Sequence, residues 1–193
     1  YFISLFGKKT IGIAYSLAIA ETILAPVTPS NTARGGGIIH PIMRSIADSF
    51  NSKPEEGTSG KIGRYLSLVN YNINPITSAM FITATAPNPL IVSLIIGETG
   101  PENELTWSMW AIAAFVPAIV SLFLMPIVIY FLYKPEITHT PNAPHFAKER
   151  LAQLGPISLP EKITLGVFAL LLIMWAGIPA LLFGDAFSIN ATT

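Results

Sequence analysis

The sequence predicts an all-α integral membrane protein, and three observations predict it. The chain of 193 residues is 51% hydrophobic but only 11% charged, with a mean hydropathy of +0.56. Soluble domains carry about 25% charged residues, so this balance points to lipid. Two segments, 108–133 and 163–184, contain no charge and are long enough for a bilayer core, which takes roughly 20 residues. Two further apolar segments are interrupted by Pro, Gly, Asn and Thr, residues that leave backbone groups unpaired where lipid offers no partner. The formal net charge is zero and no basic run interleaved with aromatics occurs, which excludes the electrostatic footprint of a nucleic-acid binder. The absence of cysteine excludes disulfide staples, thiolate metal sites and a Cys nucleophile.

The elements follow in order. Residues 1–50 read as a re-entrant helical hairpin: an apolar arm over 10–25 broken only by Glu21, a tip rich in Pro and Gly, and a second arm starting IIHPIM. Each arm is read as shorter than a full crossing. A cytoplasmic loop, 51–64, leads to a broken transmembrane helix over 65–97, uncharged yet carrying Asn70, Asn72, Asn74 and Pro75 and then TATAPNPL. An external loop, 98–107, holds Glu98, Glu102 and Glu104. The span 108–133 keeps Pro117 and Pro126, which membrane helices tolerate when neighbours satisfy the freed carbonyls. Trp107, Trp110, Tyr130 and Tyr133 fall at its ends, where aromatic belts lie. A Pro-rich connector, 134–161, encloses the polar stretch HFAKERLAQL, a candidate interfacial helix. A last span over 162–185 and an external segment, 186–193, complete the chain. Every Lys and Arg outside the hairpin falls in a loop on one side of this arrangement, which the positive-inside rule makes cytoplasmic. The start at Tyr1 without a signal-peptide pattern reads as an internal piece of a longer polypeptide.

The breaks carry the chemistry. Unpaired backbone at membrane depth survives where protein buries it or where it lines a wet cavity, so 26–37 and 83–89 are expected to face each other. Half-helix N-termini attract anions, and unwound carbonyls coordinate cations. Ser30, Asn31 and Thr32 add neutral oxygens and an amide from one break, and Thr83, Thr85 and Asn88 from the other. Neutral donors of this kind serve an ion or a carboxylate without a buried charge, which lipid makes expensive. A local Asx or Ser/Thr turn is the plainer reading of Ser30–Thr32, as a proline kink with an Asn cap is for 83–88.

The stretch ETILAPVTPSNTARGGGIIHPI, with GKIGRYL at 60–66, ATAPNPL at 84–90 and LYKPE at 132–136, strongly resembles the divalent anion–sodium symporter superfamily. Within it, the stretch is similar to the citrate/succinate and tartrate/succinate translocators and the plastid 2-oxoglutarate/malate translocators. The resemblance implies a fold of two inverted repeats, of which this chain would be the end of the first plus the first helix of the second. It implies a secondary active transporter of di- or tricarboxylates, working by alternating access as an antiporter or a sodium symporter, with no enzymatic activity. Ser30 and Asn31, with carbonyls near Pro26 and Ala84, would bind a sodium ion. Asn31, Thr32 and Thr85 would touch a substrate carboxylate. No cofactor other than Na⁺ is implied. The partners would be the small carboxylate, the lipid bilayer and a second subunit in a homodimer, in a bacterial inner membrane. Some relatives place glycine where Ala84 stands.

Two charged residues inside the hairpin leave alternatives open. Arg34 has a planar fork suited to a carboxylate and is a candidate substrate contact. As a fixed cation it could also stand in for part of a sodium ion's charge, which would favour exchange. Glu21 is a candidate coupling group, and a pairing of the two is the alternative for both. His40, His139 and His145 show no metal-ligand spacing, and no P-loop, GxSxG or HExxH pattern occurs. An ion or anion channel remains a second reading, and an intramembrane enzyme a third.

Overall fold

The computed structural model describes residues 1–184; the expected external segment 186–193 and the last residue of the expected final span lie outside them. Among the described residues the fold is all-α, with a lone antiparallel bridge between Lys9 and His139. The helices are α1 (Phe2–Phe6), α2 (Thr10–Leu24), α3 (His40–Ser49), α4 (Gly63–Met80), α5 (Pro87–Thr99), α6 (Trp107–Leu132), α7 (Ala143–Leu154), α8 (Leu159–Trp175) and α9 (Ile178–Phe183).

Two discontinuities shape the molecule. The first follows α2, which tightens into a 3₁₀ turn at Ala25–Val27, opens over 28–30 and resumes as a π-helical segment at Ala33–Ile39. There the His40 N–H reaches back five residues to the Gly35 carbonyl. Wide turns of this kind are rare and cluster at functional sites. The second separates α4 from α5, where a 3₁₀ turn at Ile82–Ala84 is flanked by extended residues Phe81 and Thr85. Pro87 and Pro89 then stand at the start of α5, where the missing N–H goes unmissed.

The first arm is longer than its sequence suggests. Thr10–Val27 forms an 18-residue apolar stretch that is long enough to cross a membrane, because the 3₁₀ turn carries α2 on past Leu24. α6 runs unbroken for 26 residues through both prolines. On the turn that Pro126 opens, the Tyr15 hydroxyl donates to the Phe123 carbonyl (2.6 Å) and the Tyr65 hydroxyl to the Pro126 carbonyl (3.0 Å). The last apolar segment, expected as one span, is instead divided. α8 stops after 17 residues, Gly177 takes a left-handed conformation (φ 74°), and α9 restarts with Pro179 in its first turn.

The core lies where α2, α3, α4 and α6 meet. α4 buries Tyr65, Leu66, Val69, Ile73, Thr77 and Met80, a helical stripe of period near 3.6. Against it pack Ile13, Ala14, Leu17 and Ala18 of α2, Met43, Ile46 and Ala47 of α3, and Ala118, Leu122 and Ile129 of α6. The alanines permit close backbone approach, the chief source of helix association where the surroundings are as apolar as the side chains. α6 leaves Ile112, Phe115, Val116, Val120, Phe123 and Phe131 exposed, a face suited to hydrocarbon.

One end of the bundle is laced together by main chain. Thr10 N donates to Thr138 O (3.1 Å), Thr140 N to Lys8 O (2.9 Å), Glu136 N to Gly60 O (3.0 Å) and Ile137 N to Lys61 O (3.0 Å). The connector after α6 thus joins the foot of α2 to the foot of α4. The basic segments around Lys8–Lys9, Lys61 and Lys134 meet at this end.

Candidate functional site

The two discontinuities touch. The Thr83 hydroxyl donates to the Pro26 carbonyl (2.7 Å), joining the 3₁₀ turn of one break to that of the other. Trp107, at the start of α6, donates from Nε1 to the Thr83 hydroxyl (3.2 Å) while its ring stacks on Phe81. Trp110 donates to the Ala79 carbonyl (2.9 Å). Asn88 uses its amide nitrogen twice, toward the Ser78 carbonyl (2.8 Å) and the Phe81 carbonyl (2.9 Å). Carbonyls released by the break in α4–α5 are therefore taken up by side chains, as buried backbone requires.

Arg34 is the hub. Its side chain is 0% exposed, and its Nη1 donates to both Thr28 O (3.0 Å) and Ala84 O (3.1 Å), one carbonyl from each break. Nη2 donates to the Ser78 hydroxyl (2.7 Å) and the Thr77 hydroxyl (3.3 Å). Nε lies 3.6 Å from Oε1 of Glu21. Glu21 is equally buried, and its Oε1 also accepts from the Asn74 amide (2.7 Å) and the Thr77 hydroxyl (3.2 Å). Oε2 of Glu21 and Nε of Arg34 lack a hydrogen-bond partner. Neither charge would be tolerated alone in such a place. The positive end of the pair faces the breaks, and the carboxylate lies behind it.

The tip residues occupy a more open position. Ser30 Oγ accepts from Ala33 N (3.2 Å), and Asn31 Oδ1 accepts from Thr32 N (2.8 Å). The local turn chemistry of the plainer reading is thus present. It engages the oxygens of Ser30 and Asn31 and leaves the Asn31 amide nitrogen without a partner among the described residues. Asn31 and Thr32 line an open cavity of about 670 Å³ with Gly35, Gly36, His40, Asn70 and Asn74. Thr85 is half-buried and does not line this cavity.

The structure therefore brings Pro26, Thr28, Arg34, Thr83 and Ala84 into one cluster, with Glu21 behind it. It sets Asn31 and Thr32 on an adjoining cavity wall. Arg34, a candidate substrate contact from sequence, is turned inward, because the unpaired carbonyls of the breaks and the Glu21 carboxylate claim its donors. Asn74, Thr77 and Ser78 belong to the cluster although sequence reasoning did not single them out as site residues. Their spacing of three and four along α4 was the available signal. Among the described residues no group of three or more His, Cys, Asp or Glu could hold a metal ion.

Apolar helices interrupted at facing points, with unwound main chain gathered around neutral side chains, define an α-helical membrane protein of broken-helix architecture. Residues 1–193 match the family described as the sodium:sulfate symporter transmembrane region, and the chain belongs to that family. It is 50% identical over 192 residues to the putative malate transporter YflS of Bacillus subtilis. It is 38% identical over 192 residues to dicarboxylate transporter 1, chloroplastic, of Spinacia oleracea. It is 42% identical over 169 residues to the inner membrane protein YbhI of Escherichia coli. These alignments cover 100%, 100% and 88% of this chain but 38%, 32% and 35% of the relatives. The chain thus spans about a third of the length of the curated relatives it matches.

Proposed function

We propose that this chain forms part of a secondary active carrier of small dicarboxylates, of the malate and succinate class, in a bacterial inner membrane. The contact of the two helix breaks carries this reading. It gathers neutral donors beside an open cavity, and a carboxylate binds such donors without demanding a buried countercharge. Asn31 and Thr32 contact the substrate from the cavity wall. The hairpin and broken helix move together against a scaffold, exposing the site to each side in turn. The names of the relatives support the substrate class. Asn31→Ala is expected to abolish uptake of labelled malate or succinate into proteoliposomes while membrane insertion stays normal. Undiminished uptake by that variant would defeat the assignment. Saturable counterflow separates this carrier from a channel.

The same reading favours exchange over sodium coupling, although the family's description names sodium. Pro26 O and Ala84 O, the carbonyls that the resemblance gives to sodium, already accept hydrogen bonds from Thr83 and Arg34. The guanidinium puts a fixed positive charge at Ala84, and two like charges about 4 Å apart repel by about 4 kcal/mol at an effective dielectric of about 20. Arg34 acts as the built-in cation of the site and not as a substrate ligand. Exchange of internal for external dicarboxylate is expected to proceed equally in sodium and in choline buffers. Strict dependence on Na⁺ would overturn the exchange reading.

A further inference from the structure

Asn74 stands one residue before Pro75 in α4 and spends its amide on two partners of different kinds. Nδ2 donates to Oε1 of Glu21 at 2.7 Å and to the main-chain carbonyl of Asn31 at 3.0 Å. An amide nitrogen carries two N–H groups, so both are committed. One reaches the buried ion pair and the other reaches the residue at the hairpin tip. The Asn74 side chain also fits against Gly35 with no room to spare. A Cβ placed on Gly35 would lie 2.6 Å from Nδ2 and 3.0 Å from Cγ of Asn74, whereas one on Gly36 or Gly37 would meet nothing within 4 Å. Of the three consecutive glycines, only the first is required by a neighbour, and that neighbour is Asn74.

We propose that Asn74 is a positioning residue for substrate binding. Its amide fixes the main chain of Asn31, and so aims the Asn31 side chain into the cavity, while Gly35 is glycine so that the amide can approach. The inference rests on the carrier reading above for its transport consequence, but its structural content does not. The oxygen that Asn74 holds belongs to the tip. Losing the donor therefore disturbs the tip even where the helices remain packed. Asn74→Asp keeps the shape and replaces the donor with an acceptor set against Glu21 and the Asn31 carbonyl.

The test uses the intact carrier in proteoliposomes. Asn74→Asp and Asn74→Ser are expected to raise KM for the dicarboxylate tenfold or more, with the maximal rate within about threefold of wild type. Gly35→Ala is expected to impair transport, and adding Asn74→Ala to recover it to the level of Asn74→Ala alone, because the atoms that the new Cβ meets are gone. A KM within twofold of wild type in both Asn74 variants would overturn the proposal. So would a Gly35→Ala/Asn74→Ala protein whose defect is the product of the single defects. A second readout needs no transport: a thiol at Ala33→Cys, beside the tip, should react several-fold faster with a maleimide when Asn74→Ser is also present. Unchanged labelling overturns the positioning role. Faster labelling with Asn74→Ser, in a protein whose wild type moves no dicarboxylate, would instead uphold the positioning role and defeat the substrate reading.

Discussion

Arg34 and Glu21 illustrate what a single buried pair must satisfy. The guanidinium meets four oxygens from three segments, and the carboxylate accepts its hydrogen bonds through Oε1 while Oε2 accepts none. Removing one member of such a pair leaves the other uncompensated, which costs about 3–5 kcal/mol. Glu21→Gln is accordingly expected to lower the thermal midpoint of the detergent-solubilised protein markedly, and Glu21→Gln with Arg34→Met to be less damaging than Glu21→Gln alone. Additive losses would show that the two side chains act separately. The sequence made both residues conspicuous, since charges are rare in apolar hairpins, and it offered their pairing as one alternative. It did not disclose that Arg34 also binds both breaks. That depends on the fold bringing Thr28 and Ala84 within reach of one planar group, a matter of register between segments 50 residues apart.

At the level of elements, composition was a good guide to where helices are interrupted and a poor one to where they end. Pro and Gly at 26–37 and Pro at 83–89 marked both discontinuities. The added turn on α2 and the division of the last apolar segment were less legible. A 3₁₀ continuation has no distinct sequence pattern, and Gly177 lies within a run apolar enough to be read straight through. The start of α8 is better specified. Ser158 and Glu161 form a reciprocal capping box, in which the Ser158 hydroxyl and backbone N–H hold the Glu161 carboxyl below its ordinary range. A lowered native value means that the cap contributes stability above the unfolded carboxyl pKa of about 4.3. That contribution disappears as pH falls through the native value. Hydrogen exchange in the first turn of α8, referenced to intrinsic rates, should therefore show protection lost on acidification through this window, while Glu161→Gln shows a weaker dependence. A dependence identical in the variant would exclude the cap as its origin.

For the molecule as a whole, the hairpin, α4 and the connector share one laced end, and the two breaks share one cluster away from it. The main-chain hydrogen bonds that lace this end could not be anticipated, because they involve no distinctive side chain. Lys9 and His139 face each other across this seam. A Lys9→Cys/His139→Cys pair, oxidised to a disulfide, is expected to leave dicarboxylate exchange within about twofold of the reduced protein. Arrest on oxidation, reversed by reductant, would show that the seam must open during turnover. If it stays shut, the hairpin cannot swing on its own like a gate leaf. Its foot is tied to the foot of the helix it faces, and on the proposed carrier reading the pair would travel as one solid piece, carrying its cargo in a pocket whose walls keep their shape on the way.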